Sequence, residues 1–304
     1  MEITVTINDY LSKVVECDED FGEKVMSLLN DYEDGTWRDS MFHDFLWNNV
    51  SETALTEEER KSLIGKPSSL LKNAAKKLKE STSGRDSGEG GEIAEILLYG
   101  ILKKYHKAIP VVPKIFNKQN SRDYAKGADS VHIVLSSDKK DFTLWFGEAK
   151  FYKDIKNASL PSIIKSVGNS LETIKLKKEN SIIVHSKDMD NLIDDPSIVE
   201  KIRETLKLGA SMDTINPRLN IPILLLHECQ ITSSYTSLST EYIDEIRSHH
   251  LERATTYFQK QHSKLKDKVG LYDKISFHLI IFPVPDKKKI VSKFFETLNF
   301  FVHV

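Results

Sequence analysis

Residues 127–152 read GADSVHIVLSSDKKDFTLWFGEAKFY. Two apolar runs flank the charged turn SSDKKD, the pattern of a hairpin whose strands are both largely buried. Three charges interrupt the pattern: Asp129 at the start of the first strand, and Glu148 and Lys150 near the end of the second. Side chains alternate across a sheet with period 2. Leu144, Phe146, Glu148, Lys150 and Tyr152 therefore share one face, and Trp145, Gly147, Ala149 and Phe151 share the other. In the first strand, Asp129 shares a face with Val131, Ile133 and Leu135. A hairpin closed at SSDKKD lays the start of one strand beside the end of the other. That brings Asp129 towards Glu148 and Lys150, with the register left open.

Upstream, EIAEILLYGILKKYH (92–106) is apolar all round the helical wheel from Ile93 to Leu102, which marks a buried helix. Glu95 is the exception, with Leu98, Tyr99 and Leu102 at its helical neighbour positions. A carboxylate in such surroundings is paired, protonated or bound to a cation, because an unpaired buried charge is costly. Glu92 is less informative, since the first turn of a helix favours any acid. IPVVPKIFNK (109–118) reads as a strand interrupted by Pro113.

Downstream, a helix is expected over 159–178, and SIIVHS (181–186) reads as a short strand or the start of another helix. Residues 187–209 read as helical, IPILLLHECQ (221–230) and FHLIIFPVP (277–285) as buried strands, and 240–266 and 286–300 as helices. Residues 1–8 alternate as a strand. From about residue 9 to 80 the chain reads as mostly helical, with a turn at YEDGTW. The segment STSGRDSGEGG (81–91) is a flexible loop with no GKS or GKT after it, which excludes a P-loop; Arg85 within it is a solvent-facing residue or a phosphate contact. The expected fold is α/β, with a mixed central β-sheet flanked by helices. It divides into a mostly helical region over 1–80, a candidate partner-binding surface, and a core over 81–304 with a C-terminal strand and helix extension.

The totals suit a folded globular chain: 304 residues, 39% hydrophobic and 29% charged. No apolar run reaches the roughly 18–20 residues of a membrane span, and MEITVTINDYLSK lacks the basic flank and apolar core of a signal peptide. Cys17 and Cys229 form no CxxC and read as reduced thiols of a cytosolic protein. A net charge of -2 is low for a protein living by non-specific duplex binding, so any nucleic-acid role needs local patches or a partner that delivers the DNA.

Two carboxylates on neighbouring strands, Asp129 and Glu148, make a hard-oxygen site suited to Mg²⁺ or Mn²⁺. Such an ion polarises a phosphodiester oxygen and acidifies a bound water. Lys150 can orient the attacking water and meet the charge that develops on phosphorus, and Glu95 can complete the ion's surroundings. An isolated D…ExK is more often a salt-bridged edge strand. Here the apolar flanks, the converging hairpin and the acid on the upstream helix favour chemistry.

Other candidates carry less. His227-Glu228 has no second histidine at zinc-site spacing, so HEXXH is excluded. His249-His250 reads as an exposed pair in a charged helix. Lys287-Lys288-Lys289 reads as a solvated helix start or a DNA or partner contact. No GxSxG supports acyl transfer.

Glu95 on a helix, then Gly127-Ala128-Asp129, then Gly147-Glu148-Ala149-Lys150, resembles the PD-(D/E)XK nuclease superfamily, with Ala128 where a proline is frequent. More narrowly, EIAEILLYGIL, KGAD, WFGEAKFY, IPILLLHE and FHLIIFPVP are similar to the HamA family, over roughly residues 80–290. The resemblance implies a Mg²⁺-dependent deoxyribonuclease of the bacterial Hachiman antiphage defence system, acting in the cytoplasm with a HamB-like superfamily 2 helicase. It implies Asp129 and Glu148 as metal ligands, Lys150 as the catalytic lysine and Glu95, with Glu92 as alternative, as the helix acid. Two other roles stay open: a catalytically silent subunit of a helicase, and a free-standing restriction or repair endonuclease.

Overall fold

The computed structural model describes residues 6–7, 23–82, 90–112 and 128–303. Its strands are β1 (Thr6–Ile7), β2 (Glu23–Leu29), β3 (Tyr32–Glu33), β4 (Thr36–Trp37), β5 (Ile109–Val112), β6 (Ser130–Leu135), β7 (Phe142–Tyr152), β8 (Leu219–Glu228) and β9 (Ser276–Val284). The N-terminal helices are α1 (Asp39–Ala54), α2 (Glu57–Ser62), α3 (Pro67–Thr82) and α4 (Gly91–His106). After β7 come α5 (Leu160–Ser170), α6 (Thr173–Val184), α7 (Lys187–Leu192) and α8 (Pro196–Leu206). α9 (Thr240–Leu265) joins β8 to β9, and α10 (Lys287–His303) follows β9.

The main sheet has the order β1-β2-β9-β8-β7-β6-β5. β5, β6 and β7 run antiparallel, whereas β7, β8, β9 and β2 are mutually parallel. The parallel strands need helical crossovers, and the helices cover both faces of the sheet. This is why β8 and β9 read as near-continuous apolar runs. The core of one face gathers Val131, Ile133, Leu144, Phe146, Leu225 and Ile281 with α5, α6, α8 and α9. The other gathers Trp145, Ala149, Phe151, Leu226 and Phe282 with α1, α3, α4 and α10. β7 thus divides its side chains between the two cores as period-2 alternation requires. The mixed sheet flanked by helices is the expected fold class.

α4 packs against β7 at Gly147, where no side chain intervenes. A Cβ there would fall 2.7 Å from the Leu98 side chain of α4 and run into the Ser130 hydroxyl of β6. Gly90, at φ 78°, turns the chain into α4. The helix carrying the candidate acids is therefore seated directly over the hairpin.

Three local expectations are corrected. Residues 23–29, read as helical, form a parallel strand with Val25 opposite Leu279. The run carries a polar Ser27 among apolar residues, and its hydroxyl pairs with His250 Nδ1 at 2.6 Å, so the strand is buried on both faces. The single helix expected over 159–178 is two, α5 and α6, parted where Glu172 takes an extended conformation. Residues 181–184 close α6 rather than form a strand. Among the described residues no helix is long and apolar enough to cross a membrane. Cys17, Arg85, Pro113 and Gly127 lie outside the described residues.

Candidate active site

The hairpin register pairs Ser130 with Gly147. One residue earlier, the Asp129 N–H donates to the Gly147 carbonyl at 2.8 Å. The Asp129 carboxylate in turn accepts the Ala149 N–H at 3.0 Å. The acid of the first strand is thus held against the backbone between Glu148 and Lys150, as the closed hairpin predicts.

Glu148 is buried, at 2% exposure, on the face that β7 turns towards α5. Its Oε2 accepts the Ser166 hydroxyl at 2.5 Å. Burial pushes its carboxyl up to about 8, and the negative charge of Asp129 pushes in the same direction. Ser166, Lys150 and Ser170 oppose the rise without cancelling it. Two carboxylates whose charges resist each other in a buried setting are what a divalent cation relieves. The donor set therefore fits Mg²⁺ or Mn²⁺. Lys150 is half-buried and follows Glu148 on the same face of β7.

Glu95 is half-buried rather than enclosed. It lines one pocket together with Asp129, Ser130, His132, Tyr99 and Thr53. Glu92, also half-buried, is not among the residues lining it. Asp129, Glu148 and Lys150 thus converge, and Glu95 faces the Asp129 side from α4. Among the described residues no three His, Cys, Asp or Glu side chains close into a metal cage. An ion held here would take its protein ligands from Asp129 and Glu148.

Sequence reasoning passed over two residues of the site. Ser166 is a hydroxyl on the inward stripe of α5, and only its 2.5 Å bond to Glu148 gives it meaning. His132 is buried, and neither ring nitrogen has a hydrogen-bond partner among the described residues. Burial lowers its imidazole to about 3, so it faces the Glu95–Asp129 pocket neutral. The one signal for it was a polar residue inside the apolar run VHIVL.

The other candidates resolve differently. His250, read as exposed, is fully buried, with His227 Nε2 3.3 Å from its Nε2. The Lys287 N–H donates to Glu228 Oε2 at 2.9 Å, and its ammonium donates to the Phe151 carbonyl at 2.7 Å. Only Lys288 and Lys289 of that run are exposed.

The family model described as HamA matches residues 6–298 of the chain. No curated protein matches it.

Proposed function

The chain belongs to the HamA family and so to the Hachiman antiphage defence system, and on that premise we propose that it is a metal-dependent deoxyribonuclease that works with a HamB-like helicase. The observation that carries the proposal is the Asp129–Glu148 pair, held on adjoining strands by the Ala149 N–H and the Ser166 hydroxyl.

Asp129 and Glu148 would hold Mg²⁺ or Mn²⁺, which supplies a polarised phosphodiester oxygen and an acidified water. The residues of the chain do the rest. The Ala149 N–H fixes the direction of the Asp129 carboxylate, and Ser166 fixes that of Glu148. Lys150 positions the attacking water and meets the negative charge that builds on phosphorus as the new P–O bond forms and the old one breaks. Glu95 acts from α4 on the Asp129 side. The low net charge fits delivery of DNA by the helicase, which also holds the nuclease silent until it is needed.

The test is plasmid degradation and phage protection by Glu148→Ala and Lys150→Ala chains in the presence of the helicase. Both activities are expected to disappear. Full protection by both variants would leave the chain a silent subunit. DNA cutting by a chain that never copurifies with a helicase would make it a free-standing endonuclease.

A further inference from the structure

Past Lys150, β7 ends and the chain turns through Lys153 and Lys156. These residues form one wall of a cavity of about 310 Å³ at the carboxyl ends of β7 and β8. His249 and Arg253 of α9, with His227 and Gln230, also line it. Its size is that of a small-ligand site, and crevices at the carboxyl ends of parallel strands are where open α/β sheets bind ligands.

The lining carries three cations, Lys153, Lys156 and Arg253, against two acids, Asp154 and Glu228. Both acids, the half-buried Glu228 and the half-exposed Asp154, already accept hydrogen bonds from the chain. Glu228 accepts the Lys287 N–H at 2.9 Å, and Asp154 Oδ1 accepts the Lys156 N–H at 3.0 Å and the Ser159 hydroxyl at 3.3 Å. The Lys156 ammonium stands 3.9 Å from Asp154, a loose contact on an exposed side chain. Lys153 is exposed. Arg253 Nη2 donates to the exposed Glu252, while its Nε and the His249 Nδ1 are buried without a partner among the described residues. Three cations and two unfilled ring or guanidinium nitrogens around one cavity suit an oxyanion, and the planar arginine fork suits a phosphate best.

The geometry points to a phosphate subsite in which Lys153, Lys156 and Arg253 hold a backbone phosphate of the DNA strand being cut. This rests on the nuclease reading of Asp129, Glu148 and Lys150. Lys153 lies three residues beyond Lys150, about 10 Å along an extended chain.

Binding of a short labelled single strand by the full chain, measured in chelator by fluorescence anisotropy over a salt series, tests the subsite apart from cleavage. The double variant Lys153→Gln/Arg253→Gln is expected to weaken binding roughly tenfold and to reduce the log–log salt slope by about 1. Lys266→Gln/Lys268→Gln, at two exposed lysines beyond the far end of α9, serves as the charge-matched control and leaves both unchanged. Equal losses for 5′-phosphorylated and 5′-hydroxyl strands place an internal phosphate in the cavity, and a loss confined to the phosphorylated strand places the strand end there. A double variant that binds both strands like the control overturns the subsite, as does a wild-type chain that binds neither strand at low salt. Cleavage is scored separately: undiminished cutting by Glu148→Ala removes the nuclease reading and leaves the binding result standing.

Discussion

The Ala149 N–H donates to the Asp129 carboxylate at 3.0 Å, so the residue between Glu148 and Lys150 holds the acid of the neighbouring strand in place. Because the donor is backbone, the identity of residue 149 does not set this contact; the hairpin register does. The site is in this sense a property of strand pairing, and its parts can be altered one charge at a time.

Glu148→Gln keeps the shape of the side chain and removes the charge that burial resists. DNA cleavage is expected to fall by at least a hundredfold, while the thermal midpoint stays level or rises. A drop in the midpoint together with retained cleavage would mean that Glu148 serves the fold.

Metal binding should depend on Asp129 and not only on Glu148. Asp129→Asn can still accept the Ala149 N–H, so the hairpin is preserved. Titration with Mn²⁺ by calorimetry is expected to show affinity reduced tenfold or more in this variant. Equal affinity in variant and wild type would place the ion elsewhere.

The two helix acids separate by position. Glu95→Gln should slow cleavage by about tenfold or more, because Glu95 shares a pocket with Asp129. Glu92→Gln should leave the rate within about twofold. A plasmid-nicking time course on the two variants decides between them, and the reverse order of effects would assign the role to Glu92.

Gly147→Ala tests the seating of α4. The added methyl meets Leu98 at 2.7 Å and the Ser130 hydroxyl. Overpacking of this kind costs about 1–3 kcal/mol, readable as a lower urea midpoint. An unchanged midpoint would show that α4 can withdraw from β7.

Asp39 makes a pH-dependent tie between α1 and α10. Burial raises its carboxyl, but the His43 imidazole 3.5 Å away and the hydrogen bond from the Lys293 ammonium at 2.6 Å outweigh this and hold it at about 2, against an ordinary 3.8. Its folded value lies below its unfolded one, so its stabilisation is full above about pH 4 and is lost as pH falls towards 2. With allowance for solvent screening, the wild-type chain should lose about 1–2 kcal/mol over that window that Asp39→Asn does not lose. Parallel denaturation curves at about pH 5 and pH 2.5 measure it.

The hairpin was legible because its signal is local: two apolar runs, one turn and a period of 2. The face shared by Glu148 and Lys150 follows from that period alone. The strand at 23–29 was not legible, because what makes it a strand is its pairing with residues 277–281, some 250 positions away. His250 was misread for a similar reason. Its helix is charged, but its partners, Ser27 and His227, come from β2 and β8. Glu95 was placed correctly on α4 but too deep, since a helical wheel does not reveal where a neighbouring sheet ends. Ser166 and His132 gave almost no signal, as single polar residues in apolar runs have many meanings until their neighbours are known.

The insertion of β9 between β2 and β8 has a consequence for the chain as it is made. The strand that fills the middle of the parallel set is the last one the ribosome delivers. Until Ser276–Val284 emerges, both neighbours present open edges, and the crossover through α9 has nothing to return to. A nascent or prematurely stopped product therefore carries Asp129, Glu148 and Lys150 on an unfinished sheet, exposed to aggregation and to proteolysis. Completion of the sheet waits on the delivery of β9.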